Sequence, residues 1–78
     1  MTTPTLGRVS LDSTTLAAAV YDVCHQKLRL DFHDGTRYVY SGVAATLYCA
    51  LLSAASKGSF FNRYIRGRFP YAKLPAEN

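Results

Sequence analysis

Glutamate is almost absent from this 78-residue chain: Glu77 is its single example, and Asp12, Asp22, Asp31 and Asp34 supply every other acid. Paired-carboxylate catalysis would therefore fall to aspartate alone. Cysteine is as scarce. Cys24 and Cys49 could form one bridge, but no exporting signal accompanies them, and thiols in a reducing cytosol stay reduced. Cys49 falls inside a helical pattern and is expected to pack as a small buried apolar residue. No CxxC or HxxxH spacing occurs, Cys24 and His25 are adjacent, and His33 lies eight residues on, so no metal site and no cofactor are expected. Adjacent residues on an extended chain point apart, so Cys24 and His25 make no catalytic dyad, and no enzymatic activity is expected. No apolar run approaches the ~18–20 residues of a membrane span. The first five residues carry no basic region followed by an apolar stretch. The expectation is a soluble, cytoplasmic protein with no membrane partner.

What is present suffices for one small folded domain. The hydrophobic fraction is 49% against a charged fraction of 18%, enough apolar surface to offset chain entropy. The net charge is +4, and its distribution is uneven. Over residues 1–56, Arg8, Lys27, Arg29 and Arg37 cancel Asp12, Asp22, Asp31 and Asp34. Over residues 57–78, Lys57, Arg63, Arg66, Arg68 and Lys73 face Glu77 alone. Such asymmetry points to an anionic partner, nucleic acid first among them; the same charges also read as a solvated face that keeps a small protein in solution.

Every glycine except Gly58, and every proline, falls outside the periodic segments, so local chemistry and hydrophobic pattern agree. Residues 1–10 read as a flexible N-terminal tail, 11–74 as the domain and 75–78 as a C-terminal tail. Residues 16–22 read as a short strand whose alanines blur the apolar face. Residues 27–32 alternate, with Leu28, Leu30 and Phe32 on one side, and 36–40 form the returning strand. If Asp34 and Gly35 alone make the turn, Tyr38 and Tyr40 share the polar face with Arg29 and Asp31. If His33, Asp34 and Gly35 make a three-residue loop, Leu30 opposes Tyr38, Leu28 opposes Tyr40 and Asp31 opposes Arg37. The second register separates apolar from polar better and is preferred, which makes Tyr38 and Tyr40 core residues.

After Ser41-Gly42 the spacing becomes helical. Leu47, Tyr48, Leu51, Leu52 and Ala55 form one stripe. Ser56 suits an N-cap for a second helix over residues 57–66, with Gly67 as its stop. Phe61, Tyr64 and Ile65 form its inward stripe, and Arg63 and Arg66 share the outer face. Pro70 bars further helix, leaving residues 68–73 as an extended aromatic strap. The fold class expected is α+β: a three-stranded antiparallel meander packed on one face by two C-terminal helices and the strap.

Two groups of residues suit an anion. Ser56, Lys57, Gly58 and Ser59 place hydroxyls and free N–H groups at a helix N-terminus, where phosphate can bind; the same residues read more simply as a plain cap and tight loop. The guanidinium groups of Arg63 and Arg66 suit bidentate phosphate contacts, or would pair with Asp12, Asp22 or Asp31. Arg68 and Lys73 extend this basic surface along the strap. Asn62 could read a base or cap a carbonyl. Tyr21 and Tyr71 are the tyrosines least clearly buried, hence the most available for stacking on a base.

A family pattern runs through these elements. It begins with Ser13-Thr14-Thr15-Leu16 and Tyr21-Asp22, then Leu28-x-Leu30-x-Phe32-x-x-Gly35 and Tyr38-Val39-Tyr40-Ser41-Gly42-Val43. It continues with Tyr48-x-x-Leu51-Leu52-x-Ala54-x-Ser56-x-Gly58-x-Phe60-Phe61-Asn62-x-x-Ile65-Arg66 and ends with Phe69-Pro70-Tyr71. In order and spacing, residues 11–73 resemble the KTSC domain, named for the C-terminus of some lysyl-tRNA synthetases and found also as a free-standing small bacterial protein. Ala44 stands where that family commonly has Pro, Val20 where it has Gly, and Phe60 and Phe69 where it has Tyr. The resemblance implies an α+β fold and RNA, tRNA included, as partner class. It implies no reaction. The competing expectation is a protein–protein interaction module that docks an acidic partner on the same surface.

Overall fold

The computed structural model describes residues 8–11 and 13–75. Most of the expected N-terminal tail, all but one residue of the C-terminal tail, and Asp12 with its suggested ion pair lie outside these. The elements in chain order are β1 (Val9–Ser10), β2 (Leu16–Asp22), β3 (Lys27–Phe32), β4 (Arg37–Ser41), α1 (Ala45–Ser53), α2 (Lys57–Tyr64) and β5 (Tyr71–Leu74). The strands form one antiparallel sheet in the order β1-β2-β3-β4-β5. The expected meander is its centre, and the two short strands widen it at both edges. Val9 and Ser10, read from sequence as tail, pair with Ala19 and Ala18.

The β3–β4 register is the one the three-residue loop requires: Leu28 opposes Tyr40, Leu30 opposes Tyr38 and Asp31 opposes Arg37. Gly35 sits at φ +92°, a backbone conformation that glycine adopts without side-chain strain. Asp34 fastens the turn, its Oδ1 accepting from the Thr36 amide at 2.9 Å and the Thr36 hydroxyl at 2.7 Å. On β2 a register shift between Leu16 and Ala18 resolves the blurred alanines. It turns Leu16, Ala19 and Tyr21 to the same side as Leu28 and Leu30, where all five are buried.

Both helices lie on that side. From α1, Tyr48 and Leu51 enter the core while Leu47 and Leu52 flank it; Ala55 falls beyond the helix and is exposed. Cys49 is exposed too, contrary to its expected burial. One residue after inward-facing Tyr48, it is turned about 100° around the helix axis. Ser56 caps α2 as expected, its Oγ accepting from the Ser59 amide. The helix ends at Tyr64, two residues short of the expected boundary, because the Arg66 amide skips to the Phe61 carbonyl at 2.9 Å and Gly67 turns at φ +75°. Phe61 and Ile65, four apart, are buried, but Tyr64 is 45% exposed and lies against Phe60, with ring centroids 4.7 Å apart. The inward stripe of this short helix is therefore narrower than the sequence suggested.

The strap becomes a strand. Pro70 has no N–H to give, but its carbonyl accepts from the Ser41 amide at 2.9 Å, and Tyr71 begins pairing against Tyr40. Because opposed residues share a face, Tyr71 and Lys73 lie on the helix-bearing side with Tyr40 and Tyr38. Among the described residues no helix is long and apolar enough to cross a membrane.

Candidate nucleic-acid interface

The residues singled out from sequence fall into three situations. Ser56, Gly58 and Ser59 are occupied by the fold. The Ser56 hydroxyl caps α2 and donates to Ser59 Oγ at 3.1 Å, and Gly58 faces Thr15 and Ser13, where a Cβ would make ordinary contact with Thr15 Oγ1 at 3.4 Å. Lys57 folds back, its Nζ donating to the Ala54 carbonyl at 3.1 Å. Arg68 is partly engaged: its Nε donates to the Arg63 carbonyl at 3.0 Å, satisfying a carbonyl at the end of α2, where a cation is favoured. Arg63, Arg66 and Lys73 are exposed. Arg66 Nη1 reaches Asn62 Oδ1 at 3.5 Å, the limit of a hydrogen bond.

Arg66 and Asn62 overlook a cleft of about 510 Å³ between α2 and the β4–β5 end of the sheet. Its floor is aromatic and continuous. Tyr40 contacts Phe61 at 5.7 Å and Tyr71 at 5.7 Å; Tyr71 contacts Tyr38 at 5.6 Å; Tyr38 contacts Phe32 at 5.7 Å. Tyr40 and Phe61 are each 4% exposed and Tyr38 is half-buried, while Tyr71 is 61% exposed. Tyr71 thus presents a ring whose position is set from beneath by two other tyrosines. Burial, with neighbouring Tyr38 and Tyr71, holds the Tyr40 phenol above its ordinary pKa against the opposing pull of Arg66, so it is a neutral donor at pH 7. Asp34 closes the other end. The Thr36 hydroxyl and amide, with the charge of Lys73, keep its carboxyl below the usual range, so it is ionised.

Tyr21 does not belong to this surface. Expected from sequence to be available for stacking, it is 1% exposed, stacks on Tyr48 and donates its hydroxyl to the Val43 carbonyl. Helix α1 covers the centre of the sheet, a long-range contact that strand alternation does not reveal.

Charge counting also missed the sheet's other side. There Arg29 grips Asp31 through Nε at 3.1 Å and Nη2 at 3.2 Å, Arg8 approaches the same carboxylate at 3.4 Å, and Arg37 donates to the Pro75 carbonyl at 2.8 Å. Asp22, which balances these cations on paper, is held in the β2–β3 turn by His25 at 2.8 Å. By register Asp22 opposes Lys27 on this same face of the sheet. Among the described residues no three His, Cys, Asp or Glu side chains gather as a metal site.

A five-stranded antiparallel sheet with two helices on one face and an aromatic cleft beside the second defines a small α+β domain. The chain belongs to the KTSC domain family, which matches residues 12–69. It resembles the crystal structure of a KTSC domain protein from Yersinia pestis with a TM-score of 0.86 and 29% identity, covering 92% of this chain and all of that one. It is 37% identical over 59 residues to a protein of Tsukamurella paurometabola, covering 76% of this chain and 88% of the relative. Lysine–tRNA ligases of Nostoc sp. and Trichormus variabilis share 35% identity over 63 residues and 37% over 54. This chain spans only 11% and 10% of those ligases' length.

Proposed function

We propose that this domain binds RNA, tRNA among the candidates, without catalysing a reaction, and that Arg63, Arg66, Arg68 and Lys73 supply the phosphate contacts. The observation that carries the reading is the juxtaposition of exposed cations on α2 and β5 with the exposed ring of Tyr71. Cations flanking an aromatic ring are what a nucleotide chain requires, since charge holds the backbone and a π-face holds a base. The likeness to a segment of lysine–tRNA ligases supports the partner class. Anisotropy titrations with tRNA, single strands and duplex over a salt series test it. Three to five phosphate contacts give a log–log salt slope of roughly −2 to −3.5 on a single strand. Absence of binding to any RNA at low salt would remove the proposal. It would favour the second reading, a module docking an acidic protein, for which the open edge of β5 and its exposed Tyr71 and Lys73 provide a surface.

A further inference from the structure

We propose that the cleft beside α2 takes one unpaired base of a single-stranded RNA, stacked on the outer face of Tyr71 with its edge toward Asn62 and Arg66. The inference rests on the RNA-binding reading and narrows it to a substrate class. Phe61 of α2 reaches across to Tyr40 of β4, but Tyr71 of β5, the next strand, is left uncovered. Tyr40 is 4% exposed and Tyr71 61%. A ring this exposed in a small domain is costly in water, yet Tyr71 is braced by Tyr38 at 5.6 Å and Tyr40 at 5.7 Å, so little side-chain freedom remains to be lost when a base stacks on it. The volume of about 510 Å³ lies within the range of small-ligand sites.

The polar groups suit a base rather than a bare anion. Asn62 offers an amide with both donors and an acceptor, as a Watson–Crick edge does, and its long 3.5 Å contact with Arg66 is readily exchanged. Charge sets the direction of the chain. Arg66 lines the cleft just past the end of α2, with exposed Arg63 nearby on that helix, whereas ionised Asp34 lines it at the β3–β4 turn and repels phosphate, so the backbone runs along α2 with its base turned inward. A base inside a duplex has both faces covered by its neighbours and cannot enter. The surface therefore prefers single strands, loops or ends.

The test compares fluorescein-labelled oligouridine, its duplex with oligoadenosine, an abasic chain of equal phosphate number, and an oligoglutamate peptide. Each is titrated by anisotropy at low salt against the full chain and its Tyr71→Leu and Tyr71→Phe variants, with thermal melts on the same samples. The expected result is tight binding of oligouridine and at least roughly fivefold weaker binding of the abasic chain and the duplex. Tyr71→Leu should show the same loss, and Tyr71→Phe should retain affinity. If Tyr71→Leu unfolds, the abasic comparison on the unaltered protein decides. Equal affinity for oligouridine and the abasic chain overturns the base site while leaving phosphate-driven RNA binding standing. Binding of oligoglutamate with no binding of any nucleic acid overturns both.

Discussion

Tyr21 and Tyr48 stack with ring centroids 4.8 Å apart and planes 11° from parallel, yet their hydroxyls are treated differently by the fold. That of Tyr21 donates to the Val43 carbonyl, whereas that of Tyr48 is buried with no partner among the described residues. Removing a paired buried hydroxyl leaves its acceptor stranded; removing an unpaired one relieves a desolvation cost. Tyr21→Phe should therefore destabilise the domain by about 1–3 kcal/mol, while Tyr48→Phe should be neutral or stabilising by up to about 1 kcal/mol. Urea unfolding of the two variants reads both signs. A larger loss at Tyr48 than at Tyr21 would contradict this account.

A second contrast separates fold from binding. Tyr40→Ala should cost about 3 kcal/mol or more, because the side chain is buried against Phe61 and a cavity would remain. Tyr38→Ala should cost less, the residue being half-buried. Arg63→Ala combined with Arg66→Ala should change stability by less than about 1 kcal/mol and make the salt slope of RNA binding shallower by about one unit or more. Melts and titrations on the same samples report both quantities.

Alkali should unfold the protein through its buried phenols. Burial raises the pKa values of Tyr21, Tyr40 and Tyr48 above 10.0 in the folded state, so the unfolded chain releases those protons first. The resulting stability is complete below pH 10 and is lost as pH rises through the folded values. Tyrosinate absorbance followed beside circular dichroism should show these three phenols ionising together with unfolding.

Acid acts on the two turns. Asp22 is held below its ordinary pKa of 3.8 by the His25 ring first and then by the His25 and Cys24 amides, and Asp34 by the Thr36 hydroxyl and amide. Both contributions are present above pH 3.8 and disappear as pH falls through the depressed folded values. Urea unfolding between neutral pH and pH 2 should show stability falling with acid. The slope should be smaller in Asp22→Ala and Asp34→Ala than in the unaltered chain.

The centre of the molecule was legible because short-range chemistry dictates it. Asp34-Gly35 and the alternation of Leu28 and Leu30 determine the β3–β4 register, and Ser56 and Gly67 bracket α2 where capping rules place them. The edges were not. Val9–Ser10 is too brief to show any period, and β5 has a proline before it and one after, so both exist through pairing alone. The same division runs through the candidate site. Exposure of Arg63, Arg66 and Tyr71 follows from local spacing, but the cleft depends on Tyr40 of β4 meeting Phe61 of α2 and Tyr71 of β5, contacts made across both helices' length of sequence. Tyr21 was misplaced for a related reason: its burial depends on which part of the sheet α1 covers, whereas Cys49 is exposed because it sits about 100° around the helix from Tyr48.

One feature of the sheet bears on the order in which the molecule comes into being. Strands β1 to β4 follow one another through tight connections, so each can pair as soon as its successor is synthesised, whereas β4 waits on its outer edge through both helices for β5. Tyr71 brings the cleft's outer ring only with that final strand. The candidate site can therefore be completed only once β5, the last strand in chain order, has been made.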